Sequence, residues 1–320
     1  MKPFITGDQF SELYTAGHAV NKALSIVGSV ARRILEIGDI RNFDVLLVQR
    51  EAMFLGPALF EWIYKYIGGM PMVLDLDDAT YIPYTSPVYG KLGSSLKFFG
   101  KTDKLIKRSS AVICGNRFIA EYANKLGAKT TVIPTVVDLE LFRPAEKSDE
   151  IPVIGWVGTH STLAFLETIF PVLTRLAAKH KFVLKIVGAG KDEITVEGVD
   201  VINKRWQLDQ EISDFQSIDI GLYPLAQTGI VSNDWLMGKS GFKAIQYLAV
   251  GIPFVMTPVG VCAEIGDPGE THFNAQTPDE WYAALERLLI DPTARRTMGA
   301  EGRKFAEQNF DLNDQADKLA

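Results

Sequence analysis

The sequence predicts an α/β protein of two similar halves, and three observations predict it. Short apolar runs alternate with stretches of helical periodicity, the pattern of parallel sheets covered on both faces. A polar stretch carrying two prolines, RPAEKSDEIP at 143–152, separates two such series. The candidate ligand loops all follow strands. At 320 residues the length also suits two domains of about 150 residues each.

In the first half, residues 17–37 read as a helix with Val20, Leu24, Val27, Ala31, Ile34 and Leu35 along one side. A strand at 44–49 and a helix at 56–67 follow. The strand at 71–76 ends in Asp75-Leu76-Asp77-Asp78-Ala79, and 79–95 is turn-rich through Pro83, Pro87, Gly90 and Gly93. A helix at 97–108, a strand at 111–114, a helix at 117–126 and a strand at 130–133 complete it. The second half runs strand 153–157, helix 163–179, strands 182–187 and 199–202, helix 208–216 and strand 218–223. A turn at Gly238 then opens a helix that ends at Gly251, with Ser240 as its N-cap, before a strand at 252–256. Helices at 278–289 and 292–309 close the chain. The expected domains are 1–145 and 151–305, followed by a terminal helix over 306–320. Two Rossmann-like domains facing a cleft would hold ligands at the C-terminal ends of their strands. The loops Gly158-Thr159-His160, Gly188-Ala189-Gly190, 223–238 and 75–79 all fall there.

Composition excludes several classes. The chain is 47% hydrophobic and 22% charged, ordinary for a globular protein. No apolar run reaches the ~18 residues of a membrane span, and Asp8, Glu12 and His18 break any signal peptide near the start. Cys114 and Cys262 are the two cysteines and form no pairing pattern, so cytoplasm is the expected location. Residues 1–150 hold 18 Lys/Arg against 17 Asp/Glu, and 151–320 hold 15 against 22, or +1 and −7. That acidity speaks against nucleic acid as a partner.

The stretch at 238–251 carries the chemistry. A helix N-terminus presents free N–H groups and about half a positive charge, which attracts anions. Lys239 and Lys243 near that end would oppose the dipole by about 0.3–1 kcal/mol each unless an anion sits there. A phosphate explains them better than a plain surface does, although surface lysines at helix starts are common. Gly238-Lys239-Ser240 also ends like a nucleotide phosphate loop. That motif needs a glycine where Asn233 stands, so the loop reading fails while its anion logic survives.

With Gly155-Trp156-Val157-Gly158-Thr159-His160, Ile186-Val187-Gly188-Ala189-Gly190, the run from Asp219 to Leu225, the block at 238–249 and Thr257-Pro258-Val259-Gly260, the second half resembles the nucleotide-sugar domain of GT-B glycosyltransferases of the GT4-like group. Asp75 to Ala79 and Pro134-Thr135-Val136-Val137-Asp138 match positions in the first domain of such enzymes. The resemblance covers about 40–310, and its specific part is 238–260. It implies retaining, metal-independent transfer of a sugar from a nucleotide-diphosphate sugar (a UDP- or GDP-sugar) to a glycan or lipid-linked acceptor, with no further cofactor. It implies donor binding by Gly158, Thr159, Tyr223, Lys239, Ser240, Gly241, Phe242, Lys243 and Gln246, with Gln246 at the ribose. It also implies catalytic roles for Asp77, Asp78 and His160. Two departures stand out. The family's paired glutamates are replaced by Gly238 and Gln246, leaving Asp234 as the nearest carboxylate. The family's first strand has no counterpart before residue 44, so the first domain is expected to be abbreviated at its N-terminus. The departures motivate an alternative, a degenerate GT-B protein that binds nucleotide or glycan without turnover.

Bland readings compete with several of these. Asp75-Leu76-Asp77 is formally a metal-binding DxD, but aspartates also cap helices and turns, and a third reading places Asp77 or Asp78 toward the acceptor; the last is preferred and no metal is assigned. His160 can touch a phosphate or the sugar, or be a surface polar group. His18, His180 and His272 show no ligand spacing. Gly188-Ala189-Gly190 lacks the third glycine of a dinucleotide fingerprint, since Glu193 holds that position. The basic residues between Lys97 and Arg108, interleaved with Phe98, Phe99, Leu105 and Ile106, can rest on anionic lipid at the inner membrane face, although most such helices are solvated faces and that is the expectation here.

Overall fold

The computed structural model describes residues 2–7, 9, 19–84, 90–146, 151–191, 193–227 and 231–319. His18, Pro87 and positions 147–150 of the polar stretch lie outside the described residues, as do 228–230 of the loop 223–238. The chain divides into two compact units, Met1–Val132 and Ile133–Ala320.

In the first unit β1 (Leu46–Gln49), β2 (Met72–Leu76), β3 (Ala111–Cys114) and β4 (Thr130–Val132) form a parallel sheet in the order β1-β2-β3-β4. Leu74, Leu76, Val112 and Cys114 are fully enclosed, and Leu105, Ile106, Ile119 and Ala123 from the flanking helices complete that core. The Lys101–Arg108 helix turns Leu105 and Ile106 inward and buries Lys101, whose Nζ meets Glu51 at 2.6 Å and the Met53 carbonyl at 2.7 Å. Its exposed face therefore carries Lys104 and Lys107 without the apolar pair. The Ala19–Leu35 helix reverses its sequence pattern: the side carrying Val20, Leu24, Val27 and Ile34 is exposed, while Ser29 and Arg33 are buried. Specific hydrogen bonds hold the polar side inward, from Arg32 to the Phe4 carbonyl at 2.6 Å and from Arg33 to the Lys2 carbonyl at 3.0 Å and Glu36 at 2.8 Å.

The second unit holds a six-stranded parallel sheet of β5 (Val153–Val157), β6 (Val183–Val187), β7 (Asp200–Lys204), β8 (Ile220–Tyr223), β9 (Phe254–Met256) and β10 (Phe273–Asn274). Its order is β10-β9-β8-β5-β6-β7, so the chain winds outward from β5 to one edge, returns, and winds outward from β8 to the other. That is the doubly wound order, and ligands bind such sheets outside the carboxyl ends of the strands where the winding reverses, here β5 and β8. The expected helix at 163–179 is two, Leu163–Glu167 and Phe170–Ala177, because Pro171 lacks an N–H and can sit only in the first turn of a new helix. Residues 133–145, expected with the first domain, pack on the second unit. Val137, Leu139 and Phe142 enter its core, and Arg303 donates to the Leu139 carbonyl at 3.1 Å, the Ala249 carbonyl at 2.7 Å and the Phe142 carbonyl. The terminal segment bears a helix at Leu312–Ala316, and Asp311 bridges to Val137.

Candidate functional site

The loops after β5, β6, β7 and β8 converge at the reversal point of the second sheet. Gly158 N–H donates to the Val187 carbonyl at 2.9 Å, and Gly188 N–H donates to the Lys204 carbonyl at 2.9 Å, tying three successive strand ends together. Gly188 has φ +82, and a Cβ there would lie 2.3 Å from the Gly158 carbonyl oxygen and 3.2 Å from Trp206 Cβ. Only glycine fits, on both backbone and space grounds. Gly190 in turn backs onto His160. Thr159 is locked locally, its N–H donating to Thr162 Oγ1 at 3.1 Å and its hydroxyl meeting Ser161 Oγ at 2.8 Å. Both Thr159 and His160 are exposed.

The Phe242–Ala249 helix points its N-terminus at the same place. Its cap is Gly241 rather than the expected Ser240: Gly241 has φ +69 and offers no side chain to the first turn. A Cβ on Gly241 would meet Ile265 Cδ1 at 2.3 Å, so glycine is required there and the cap residue itself brings no hydroxyl to the first turn. Ala244, Ile245, Leu248 and Ala249 are fully buried. Tyr247, also fully buried, hydrogen-bonds through its hydroxyl to the Gly155 carbonyl of β5 at 3.1 Å and the Leu222 carbonyl of β8 at 3.3 Å. It pins the helix across the two strands that flank the reversal point. Tyr247→Phe is expected to cost about 1 kcal/mol, read as a lower urea midpoint with an unchanged m value.

Charge is concentrated at this helix start. Burial lowers the Lys243 ammonium to about 8, with Glu211 opposing that fall and Lys239 adding to it. Lys239 precedes the helix rather than standing in its first turn, and its Nζ lies 4.7 Å from the Trp235 ring centroid. Burial raises the Cys262 thiol to about 12, against a hydrogen bond from Tyr223 and the charge of Lys239. Cys262, Tyr223 and Lys239 therefore stand together at the end of β8. Glu211, absent from the sequence expectations, opens the Glu211–Gln216 helix after β7. Its Oε1 accepts from Gln246 Nε2 at 3.3 Å and Trp206 Nε1 at 3.4 Å. Gln246 itself is fully enclosed, and its Oε1 has no hydrogen-bond partner. The signal for Glu211 in the sequence is a carboxylate soon after a strand, inside the expected helix at 208–216, where helical periodicity alone assigns it no site role. Asp234 lies exposed on the separate Asn233–Met237 helix.

The other two expected residues belong to the first unit. Asp77 and Asp78 follow β2, and Arg50, at the end of β1, reaches both. Its guanidinium makes a two-pronged contact with the Asp77 carboxylate and meets Asp78 Oδ2 at 3.2 Å. Arg50 adopts φ 60, a conformation uncommon outside glycine, while its N–H donates to the Asp75 carbonyl at 2.7 Å. Burial, with the Asp77 charge adding to it and Arg50 opposing, raises Asp75 to about 6. Both Asp77 oxygens thus already face a fixed cation, and among the described residues no group of three His, Cys, Asp or Glu could hold a metal ion.

Residues 151–291 match the family described as glycosyl transferases group 1. The chain is similar to D-inositol 3-phosphate glycosyltransferase of Segniliparus rotundus, 24% identical over 265 residues, covering 75% of this chain and 58% of the relative. It is also similar to MMP alpha-(1->4)-mannosyltransferase of Mycolicibacterium hassiacum, 26% identical over 188 residues, covering 56% and 44%. The chain thus spans about half the length of the curated relatives it matches. Among solved structures it resembles sucrose-phosphate synthase from Thermosynechococcus elongatus, with TM-score 0.66, 14% identity and coverage of 93% and 77%. It resembles Anabaena HepE in complex with UDP and glucose equally, with TM-score 0.66, 14% identity and coverage of 90% and 79%. Among the described residues, no helix is long and apolar enough to cross a membrane.

Proposed function

We propose that the chain, whose residues 151–291 match the group 1 glycosyltransferases and whose fold is that of its GT-B structural neighbours, transfers a sugar from a nucleotide-diphosphate sugar to a glycan or lipid-linked acceptor, with retention and without an essential metal. The observation that carries the reading is Lys243, a partly enclosed ammonium in the first turn of a helix whose cap residue, Gly241, has no side chain. Positive charge concentrated at a helix start is costly until an anion arrives, and a diphosphate is the anion that matches it. As the glycosidic bond breaks, negative charge grows on the departing diphosphate. Lys239, Lys243 and the helix N–H groups stabilise it in a site already arranged to do so, the work a divalent cation performs in other transferases.

Gly158, Thr159 and His160 would line the donor beside the reversal point, with Tyr223, Ser240, Gly241 and Phe242 around the diphosphate. Asp77 and Asp78, held by Arg50, would serve the acceptor. HepE, whose complexes hold UDP and UDP-glucose, favours uridine as the first base to test, and two buried free thiols suit the cytoplasm. The degenerate-binder reading is favoured by one observation, that Gly238 and Gln246 stand where the family carries carboxylates.

Calorimetry with UDP and GDP, with and without EDTA, tests the site. One nucleoside diphosphate is expected to bind with unchanged affinity in EDTA. Binding lost on chelation overturns the metal-free mechanism, and no binding by either overturns the donor site. Release of nucleoside diphosphate from its sugar on addition of cell-derived glycans separates enzyme from binder, and NMR of the product anomer reads the stereochemistry.

A further inference from the structure

A carboxylate outside the residues singled out in the sequence, Glu211, stands at this site, and the amide at the expected ribose position is turned toward it. Gln246 is fully buried, and its amide nitrogen donates to Glu211 Oε1 at 3.3 Å. The opposite amide orientation would set an oxygen against a carboxylate, so the geometry fixes Gln246 as a donor. Trp206 Nε1 approaches the same oxygen at 3.4 Å from the loop after β7. Both donors converge on Oε1 and leave Oε2 out of the arrangement, while Glu211 itself is only half-buried. Two neutral donors thus hold one accessible carboxylate beside Lys243, whose charge Glu211 partly balances. A glutamate at position 246 would repel Glu211 at this distance, so the glutamine and the carboxylate fit each other.

We propose that Glu211 binds the vicinal hydroxyls of the donor's nucleoside sugar, with Gln246 and Trp206 as its positioning residues. The proposal rests on the donor-site reading above. A carboxylate accepts hydrogen bonds and donates none, which suits a diol presenting two O–H groups. Glu211 opens the helix that follows β7 and reaches Gln246, one turn beyond Lys243 on the lysine-bearing helix.

Calorimetry of the full chain with UDP, 2′,3′-dideoxy-UDP and inorganic pyrophosphate tests it, with the guanosine series substituted where GDP binds more tightly. The wild type is expected to prefer UDP over its dideoxy analogue by about tenfold or more, and Glu211→Gln to weaken UDP by roughly 10- to 100-fold. The same variant should leave dideoxy-UDP within about twofold and bind pyrophosphate equally or more tightly, because it removes a negative charge beside Lys243. A purely structural role would weaken all three ligands together, and that result overturns the proposal. So does a wild type that binds pyrophosphate but ignores the missing hydroxyls. A wild type that binds none of the nucleotides and no pyrophosphate overturns the donor-site reading along with it. Gln246→Glu gives an independent arm: it is expected to weaken UDP while sparing dideoxy-UDP, and unchanged UDP affinity counts as a failure.

Discussion

Lys243→Met is expected to abolish nucleoside-diphosphate binding and, at neutral pH, to raise the melting temperature of the empty protein. The two effects share one cause. The ammonium is held at about 8 by burial, against an ordinary lysine value of 10.5. Below pH 8 it is charged both folded and unfolded, and the full cost of burying that charge is present. Between pH 8 and 10.5 the folded chain releases the proton while the unfolded chain keeps it, so stability from this group rises with pH across that window. Methionine keeps the aliphatic body and removes the charge. Its advantage should be largest near pH 7, on the order of 3 kcal/mol for the fall from 10.5 to about 8 at about 1.4 kcal/mol per pKa unit, and should fade toward pH 10.5. A diphosphate draws the lysine back to its charged form, so wild-type affinity should fall as pH rises past 8. Melting curves at pH 7 and 10 with calorimetry at both check it; a destabilised variant at pH 7, or one that still binds UDP, would sink the account. Such a gain in stability at the expense of binding is what a functional site under strain produces.

Asp214→Ala is expected to cost about 3–5 kcal/mol, the loss that follows from removing one member of a buried ion cluster. Asp214 is 1% exposed, and its Oδ1 takes Lys185 Nζ at 2.7 Å and Lys204 Nζ at 2.6 Å. Those lysines come from β6 and β7, and Asp214 from the helix that Glu211 opens. The cluster therefore locks the edge strand β7 and its neighbour β6 to the helix carrying the accessible carboxylate. Lys185 would be left enclosed with Ser217 Oγ, at 2.7 Å, as its remaining partner. Its screening from solvent makes the effect nearly independent of salt. Replacing all three charged residues with apolar ones (Asp214→Leu, Lys185→Met, Lys204→Met) should recover most of the loss, because no uncompensated charge remains. Urea denaturation at low and high salt measures this, and a loss below about 1 kcal/mol for the single variant would show that the cluster is not holding the fold.

Most of the secondary structure was legible because it rests on local pattern. The strands Ala111–Cys114 and Val153–Val157 and the helix Pro292–Asn309 fall where periodicity and caps place them. Where reading failed, a non-local or stereochemical term decided. Pro171 split a helix that hydropathy alone makes continuous. Gly241 displaced Ser240 as the cap because Ile265 fills the space a side chain would need. The Ala19–Leu35 helix turned its apolar side outward because Arg32, Arg33 and Ser29 found hydrogen-bond partners beneath it.

By itself the sequence determined the α/β class, the two series of alternating elements, the pair of lysines at a helix start, Lys239 and Lys243, and the family resemblance. Each depends on spacing along one chain or on a helix's own backbone charge. The tertiary structure alone decided which strands flank the reversal point, that Tyr247 pins the helix there, that Arg50 grips Asp77, and that Glu211 rather than Gln246 presents a carboxylate to solvent. Those facts are pairings between segments 27 to 92 residues apart. A linear pattern records what each segment prefers, but only packing fixes which polar group is enclosed and which is left to meet a ligand.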